Sequence, residues 1–191
     1  MNRQRSAELV SAAGGFDVVT SSGSTGRFGD PAGGTFSPMD ALLAALGACT
    51  SMDVRSILAK KRLTIDRYVV RVVADQRDEH PRVYTRIDVS HELEGTGLDV
   101  SAVRRAIELS AGKYCPVSAM LAAGPTEIHH HYVLRETAPE PWEAAGEVLV
   151  TGPNRPLEVG VEDLAADLLE ANGSRAADAL ASGARPEPGE Q

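Results

Sequence analysis

A chain of 191 residues with a formal net charge of −8 is long enough to bury a core and too acidic to attract phosphate backbones or anionic lipid. Nucleic acid and membranes are therefore excluded as expected partners, and the lack of about 20 uninterrupted apolar residues argues against a membrane span. The N-terminal residues lack the apolar core of a signal peptide, which predicts a cytoplasmic protein. Two cysteines in a reducing compartment indicate either inert core residues or thiols that cycle.

Hydrophobic periodicity and turn residues predict alternating strands and helices in the first two thirds of the chain. Ser37 is predicted to cap the longest helix, with a proline at its first position and Asp40 three residues after the cap. The predicted elements, in chain order, are strands over 7–12 and 16–20, a loop over 23–34, a helix over 38–61, paired strands over 68–74 and 83–94, a helix over 101–113, a short helix over 116–121 and a strand over 127–134.

The composition changes after residue 136, which predicts a domain over residues 1–136 and a C-terminal extension over residues 137–191. The extension is predicted to contain a proline-rich linker, a short strand over 148–150, an amphipathic helix over 161–171 and a disordered end. It shows no pattern typical of catalysis.

Cys49 lies in the middle of the long predicted helix, on the face that also carries Leu42, Leu46 and Asp53. It should therefore point toward the core or an interface. Asp53 needs a partner on this apolar face, and a backbone group or an arginine is predicted. The helix dipole is too far away to ionise Cys49 and Asp53 disfavours its thiolate, so a reactive Cys49 needs a cation from another segment.

Cys115 precedes Pro116, which suits the first position of a helix, so Cys115 is predicted to be the cap of the short helix. Unsatisfied backbone amides would then face its sulfur, which on local grounds makes it the more acidic of the two thiols. The alternative is a half-buried cap without chemistry.

Two long motifs in a fixed order, SPMDALLAALGACTSMDV around Cys49 and IELSAGKYCPVSAML around Cys115, resemble those of the OsmC/Ohr family of thiol peroxidases. The resemblance covers roughly residues 7–135. It implies an α+β fold in which two protomers intertwine as a homodimer, with antiparallel sheets around long central helices and active sites at the subunit interface.

The resemblance also implies a chemistry for the two cysteines. Cys49 would attack a small-molecule organic hydroperoxide and become a sulfenic acid, and Cys115 would condense with it to a disulfide that a dithiol reductant reopens. No metal and no organic cofactor are expected. The alternative function is a non-catalytic dimer that binds a small ligand in the same place, or a redox sensor.

In characterised members of the family, a glutamate after the helix-starting proline pairs with an arginine near the reactive sulfur. Here Met39 takes that position and Asp40 follows it, so Asp40 is the candidate acid. Arg27 is the preferred candidate for the cation, followed by Arg5 and then Arg3.

The last predicted strand carries three consecutive histidines, and alternation places His129 and His131 on the same face. Two imidazoles at this spacing resemble part of a metal site. Because no cysteine or carboxylate was identified at ligand spacing, solvated histidines are predicted instead.

Overall fold

The structure, a computed structural model, describes residues 4–153 as two sheets and three helices. The predicted helix over 161–171 and the predicted disordered end lie outside these residues. The elements are β1 (Ala7–Ala12), β2 (Gly15–Thr20), β3 (Thr25–Gly29), a 3₁₀ turn (Pro31–Gly33), α1 (Pro38–Lys60), β4 (Thr64–Gln76), β5 (Tyr84–Thr96), α2 (Val100–Leu109), a π turn (Ser110–Tyr114), α3 (Pro116–Ala122), β6 (Glu127–Glu136) and β7 (Trp142–Thr151).

The N-terminal segment forms a three-stranded antiparallel sheet in the order β1-β2-β3. The prediction of a loop over 23–34 was wrong for β3, because two glycines hide the alternation of its side chains. Glycine is required where β2 meets β3: a Cβ on Gly15 would lie 2.0 Å from the carbonyl oxygen of Phe28. Gly29, one of the glycines that suggested a loop, is equally confined, because a Cβ there would clash with the carbonyl oxygen of Gly14.

Helix α1 begins as predicted, with the amide of Asp40 donating to Oγ of Ser37 at 3.0 Å. Its buried side chains form one narrow stripe at a spacing of four residues, which consists of Leu46, Thr50, Val54 and Leu58. Much of its apolar surface stays outside that stripe, and Met52 is 72% exposed. By length and composition alone α1 could cross a membrane, and core helices of soluble proteins meet the same criterion.

The second sheet has four strands in the order β4-β5-β6-β7. The predicted β4–β5 pair is confirmed and is antiparallel, whereas β5 and β6 are parallel because α2 and α3 form a crossover between them. β7 pairs with β6, so the sheet continues past residue 136. The short strand predicted over 148–150 is part of this longer strand.

The core lies between the inner face of the four-stranded sheet and the helices. Alternation along β6 buries Ile128, His130, Tyr132 and Leu134 and leaves the residues between them half-buried on the outer face. His130 on this inner face lies beside the equally buried His91 of β5, with ring centroids 6.3 Å apart.

Helix α2 ends at Leu109 rather than at the predicted Lys113, and a π turn follows it. The amide of Cys115 donates to the carbonyl of Ser110 at 2.8 Å and closes this turn. The wider turn brings the chain to Pro116, where α3 begins.

Candidate active site

Cys49 lies about three turns inside α1 and is partly buried against an apolar cluster beneath the sheet. Leu46, one turn earlier, is fully buried in the same cluster, as the spacing predicted. The helix therefore turns Cys49 toward the interior and leaves its side chain only partly accessible.

Cys115 caps α3, as the Cys-Pro sequence predicted. Its Sγ accepts a hydrogen bond from the amide of Ser118 at 3.3 Å, and the residue is 2% exposed. Cys115 belongs to the same apolar cluster as Cys49, so α1 and α3 bring both thiols to one place.

Each thiol lies within 4.8 Å of the other and of a carboxylate oxygen of Asp53. Both cysteines are free thiols in this structure. Because a disulfide bond is about 2.0 Å long, the two sulfurs need to approach by at most about 2.8 Å to form one. The arrangement can therefore interconvert a dithiol and a disulfide through a small movement.

Asp53 is held by a buried hydroxyl pair. Ser110 donates from Oγ to Oδ2 of Asp53 at 3.0 Å, and Oγ1 of Thr50 lies 3.0 Å from the same Ser110 hydroxyl. The partner predicted for Asp53 was a backbone group or an arginine, and this prediction was wrong. The π turn after α2 supplies a hydroxyl instead.

Burial of Cys115 opposes the acidity that its position at the start of α3 predicted. Burial, followed by a hydrogen bond with Cys49, raises the pKa of Cys115 to about 12, while the hydrogen bond from the amide of Ser118 acts in the opposite direction. The local prediction counted only the amide donors at the start of α3. Removal of the sulfur from water outweighs them, so Cys115 remains a thiol at neutral pH.

Arg27 lies on β3, where its guanidinium forms an ion pair with Asp17 at 3.4 Å and donates to the carbonyl of Ala13. Neither contact involves Cys49. Arg5 is exposed near the start of the same sheet, and Arg3 lies outside the described residues. The activation of Cys49 by an arginine stays a prediction.

Asp40 lies at the start of α1, where its carboxylate accepts a hydrogen bond from Ser37 Oγ at 2.7 Å. It is nine residues before Cys49, about 13 Å along the helix axis. Its charge also contributes, after burial, to a raised pKa of Tyr84. Asp40 therefore takes part in the capping interaction with Ser37 in this chain, and its predicted role beside Cys49 stays a prediction.

Sequence reasoning missed Thr50 and Ser110 as members of the site. Ser110 directly follows α2, three residues after the buried Ile107, and Thr50 is the one polar residue in the buried stripe of α1. A polar residue in a buried stripe needs a hydrogen-bond partner, and that rule could have identified both.

A groove of about 820 Å³ runs along α1 beside β4. Gly47 lines it, and a Cβ there would lie 3.0 Å from Val72, so glycine lets helix and strand approach each other. Its polar side chains are those of Asp40, Ser51, Arg55, Asp66 and Tyr68, and the remaining lining residues are apolar. Neither cysteine is among the residues that line this groove.

The fold and the site together define the class of protein: an α+β domain with two sheets, in which two helices bring two free thiols close together. The profile of the OsmC-like protein family matches residues 30–130, a segment that contains both cysteines. The chain belongs to this family.

Relatives and solved structures agree with that assignment. The protein YhfA of Escherichia coli K12 is 39% identical over 98 residues, which are 51% of this chain and 73% of the relative. A protein from Aquifex aeolicus VF5 is 28% identical with a TM-score of 0.61, over 71% of this chain and 100% of that one. An organic hydroperoxide resistance protein from Legionella pneumophila has the same fold, with a TM-score of 0.50 at 14% identity, over 67% of this chain and 95% of that one.

Proposed function

We propose that this protein is a thiol peroxidase that reduces organic hydroperoxides, with Cys49 as the attacking thiol and Cys115 as the resolving thiol. The observation that carries the proposal is the approach of the two sulfurs to within 4.8 Å. Membership of the OsmC-like family supports it, because the Legionella protein of the same fold is named for organic hydroperoxide resistance.

The proposed reaction has three steps. The Cys49 thiolate attacks one peroxide oxygen, the O–O bond breaks, and the products are a Cys49 sulfenic acid and, after protonation, an alcohol. The Cys115 thiol then displaces the sulfenic hydroxyl as water and forms the Cys49–Cys115 disulfide. A dithiol reductant reduces that disulfide and is itself oxidised.

The different environments of the two sulfurs support these roles. Cys115 is 2% exposed and its pKa is raised to about 12 by burial, so it is protonated and shielded from solvent at neutral pH. Cys49 is more accessible, as an attacking thiol must be. Attack by Cys115 on a sulfenic acid of Cys49 requires only local movement.

We also propose that the active unit is a homodimer in the cytoplasm. Apolar side chains are exposed on α1 and on the N-terminal sheet, with Met52 at 72%, Val10 at 57% and Phe16 at 49%. A second copy of the chain would cover such faces. Association would also allow Arg27 of one protomer to approach the thiols of the other.

The test is stopped-flow mixing of reduced protein with cumene hydroperoxide or hydrogen peroxide, in which the loss of free thiol is measured over time. Cys49→Ser should abolish the reaction, whereas Cys115→Ser should still consume one equivalent of peroxide and accumulate a sulfenic acid that dimedone traps. Faster reaction with cumene hydroperoxide is expected. The proposal fails if Cys49→Ser retains the wild-type rate or if neither peroxide oxidises the wild-type protein.

The groove of about 820 Å³ along α1 favours a second candidate, the binding of a small apolar ligand without catalysis. This candidate predicts that the protein is inert toward peroxides and that an apolar fluorescent probe binds equally well to wild type and to Cys49→Ser. A bulky substitution at Gly47, such as Gly47→Leu, should then displace the probe.

A further inference from the structure

We propose that Asp88, His129 and His131 form a binding site for a divalent transition-metal ion of the zinc class. These residues, the outer-face cluster, lie on the side of the four-stranded sheet that points away from the helices. One ligand atom from each lies within 4.8 Å of those of the other two. The cluster is separate from the thiol pair, which packs beneath the inner face.

The sheet supplies a carboxylate ligand from a second strand. His129 and His131 share one face of β6, as predicted, and their rings stack with centroids 6.3 Å apart. The parallel pairing of β5 with β6 places Asp88 beside His129. Solvated histidines were predicted because no carboxylate was identified at ligand spacing, and the neighbouring strand provides Asp88.

The distances suit a small cation. Ligand atoms around a tetrahedral zinc ion lie about 2.0–2.1 Å from the metal and hence about 3.4 Å from each other. Nε2 of His131 is 3.1 Å from Oδ1 of Asp88, which already meets this spacing. His129 needs only a small side-chain movement to complete three ligands, since no pair in the cluster exceeds 4.8 Å.

Two further carboxylates orient His129. Oε2 of Glu147 lies 3.2 Å from Nδ1, and Oε2 of Glu127 lies 3.6 Å from Nε2, a nitrogen that is buried and has no hydrogen-bond partner. Whichever ring nitrogen binds the ion, the other therefore faces a carboxylate. Metal-binding histidines in proteins have this arrangement, which fixes the ring and increases its basicity.

The local charge also favours a cation. Arg86 forms two hydrogen bonds of 2.7 Å with Asp88 and keeps this carboxylate ionised and in place, although its positive charge competes with an ion. The negative charge around the site still exceeds the positive charge of Arg86, because three carboxylates are present, those of Asp88, Glu127 and Glu147. Because two imidazoles and a carboxylate favour zinc, cobalt, nickel or copper over magnesium and calcium, the class of ion is selected by the ligands.

The test is calorimetric titration of the full-length chain with Zn²⁺, after removal of any affinity tag. A Cys49→Ser/Cys115→Ser background removes the thiol pair, which could bind zinc together with Asp53. One ion per chain is expected to bind. His129→Ala and His131→Ala should each weaken binding at least about tenfold, and the matched control His80→Ala, at an exposed histidine of the β4–β5 turn, should bind like the background.

Nuclear magnetic resonance of histidine labelled with ¹⁵N provides a readout that does not depend on substitution. Addition of Zn²⁺ should shift the ring nitrogens of His129 and His131 and leave those of the buried His91 and His130 unchanged. Addition of Mg²⁺ in tenfold excess should shift neither pair. The proposal is overturned if no zinc binds to the background protein, if neither substitution changes the affinity, or if the rings of His129 and His131 do not respond.

Discussion

Acid should destabilise this protein through two buried histidines on the inner face of the sheet. His91 and His130 are both fully buried, and both ring nitrogens of His130 lack a hydrogen-bond partner. Tyr68 places its hydroxyl 2.6 Å from Nδ1 of His91, and burial raises the pKa of Tyr68, so this hydroxyl stays protonated. The surroundings therefore favour neutral rings.

Burial lowers the pKa of His91 to about 3 and that of His130 to about 4, compared with an ordinary value of 6.5. The unfolded chain thus binds more protons than the folded one once the pH falls below about 6.5. The contribution of the neutral histidines to the free energy of unfolding is fully present above this pH. It is lost progressively as the pH falls toward the pKa values of the two rings in the folded protein. At about 1.4 kcal/mol per pH unit, each histidine lowers the free energy of unfolding by about 2 kcal/mol at pH 5.

Urea unfolding followed by circular dichroism, at fixed protein concentration between pH 7.5 and pH 5, measures this loss. His130→Leu removes one titrating ring without breaking a hydrogen bond, so about half of the acid loss should disappear. His80→Gln is the control at an exposed histidine and should behave like wild type. If His130→Leu loses as much stability as wild type between the two pH values, the buried rings do not cause the acid sensitivity.

Three substitutions test other parts of the structure. Ser110→Ala breaks a buried hydroxyl network and should lower the free energy of unfolding by about 1–3 kcal/mol in urea, whereas the control Ser56→Ala, at an exposed serine of α1, should have little effect. Ser37→Ala removes the cap of α1 and should cost about 1 kcal/mol in the same assay. Arg27→Ala should slow peroxide oxidation of Cys49 about tenfold or more in stopped flow while leaving stability nearly unchanged, and an unaltered rate would exclude this arginine as the activating cation.

The sequence alone determined the elements whose signals are local. Ser37 and the following proline mark the start of α1 because a cap depends on neighbouring residues. The Cys-Pro pair likewise marks the start of α3 with Cys115 as its cap. The alternation of β6 placed His129 and His131 on one face, since a strand has a period of two.

Only the tertiary structure decided the properties that depend on distant neighbours. The strand β3 is defined by its pairing with β2. Asp53 accepts its hydrogen bond from Ser110, which is 57 residues away along the chain. The same reason explains the raised pKa of Cys115. The residues that follow Cys115 in the sequence predict amide donors, but the loss of water around its sulfur depends on packing against α1 and the sheet. Asp88 reaches the histidines of β6 only because two strands lie parallel, and strand pairing is set by the fold as a whole.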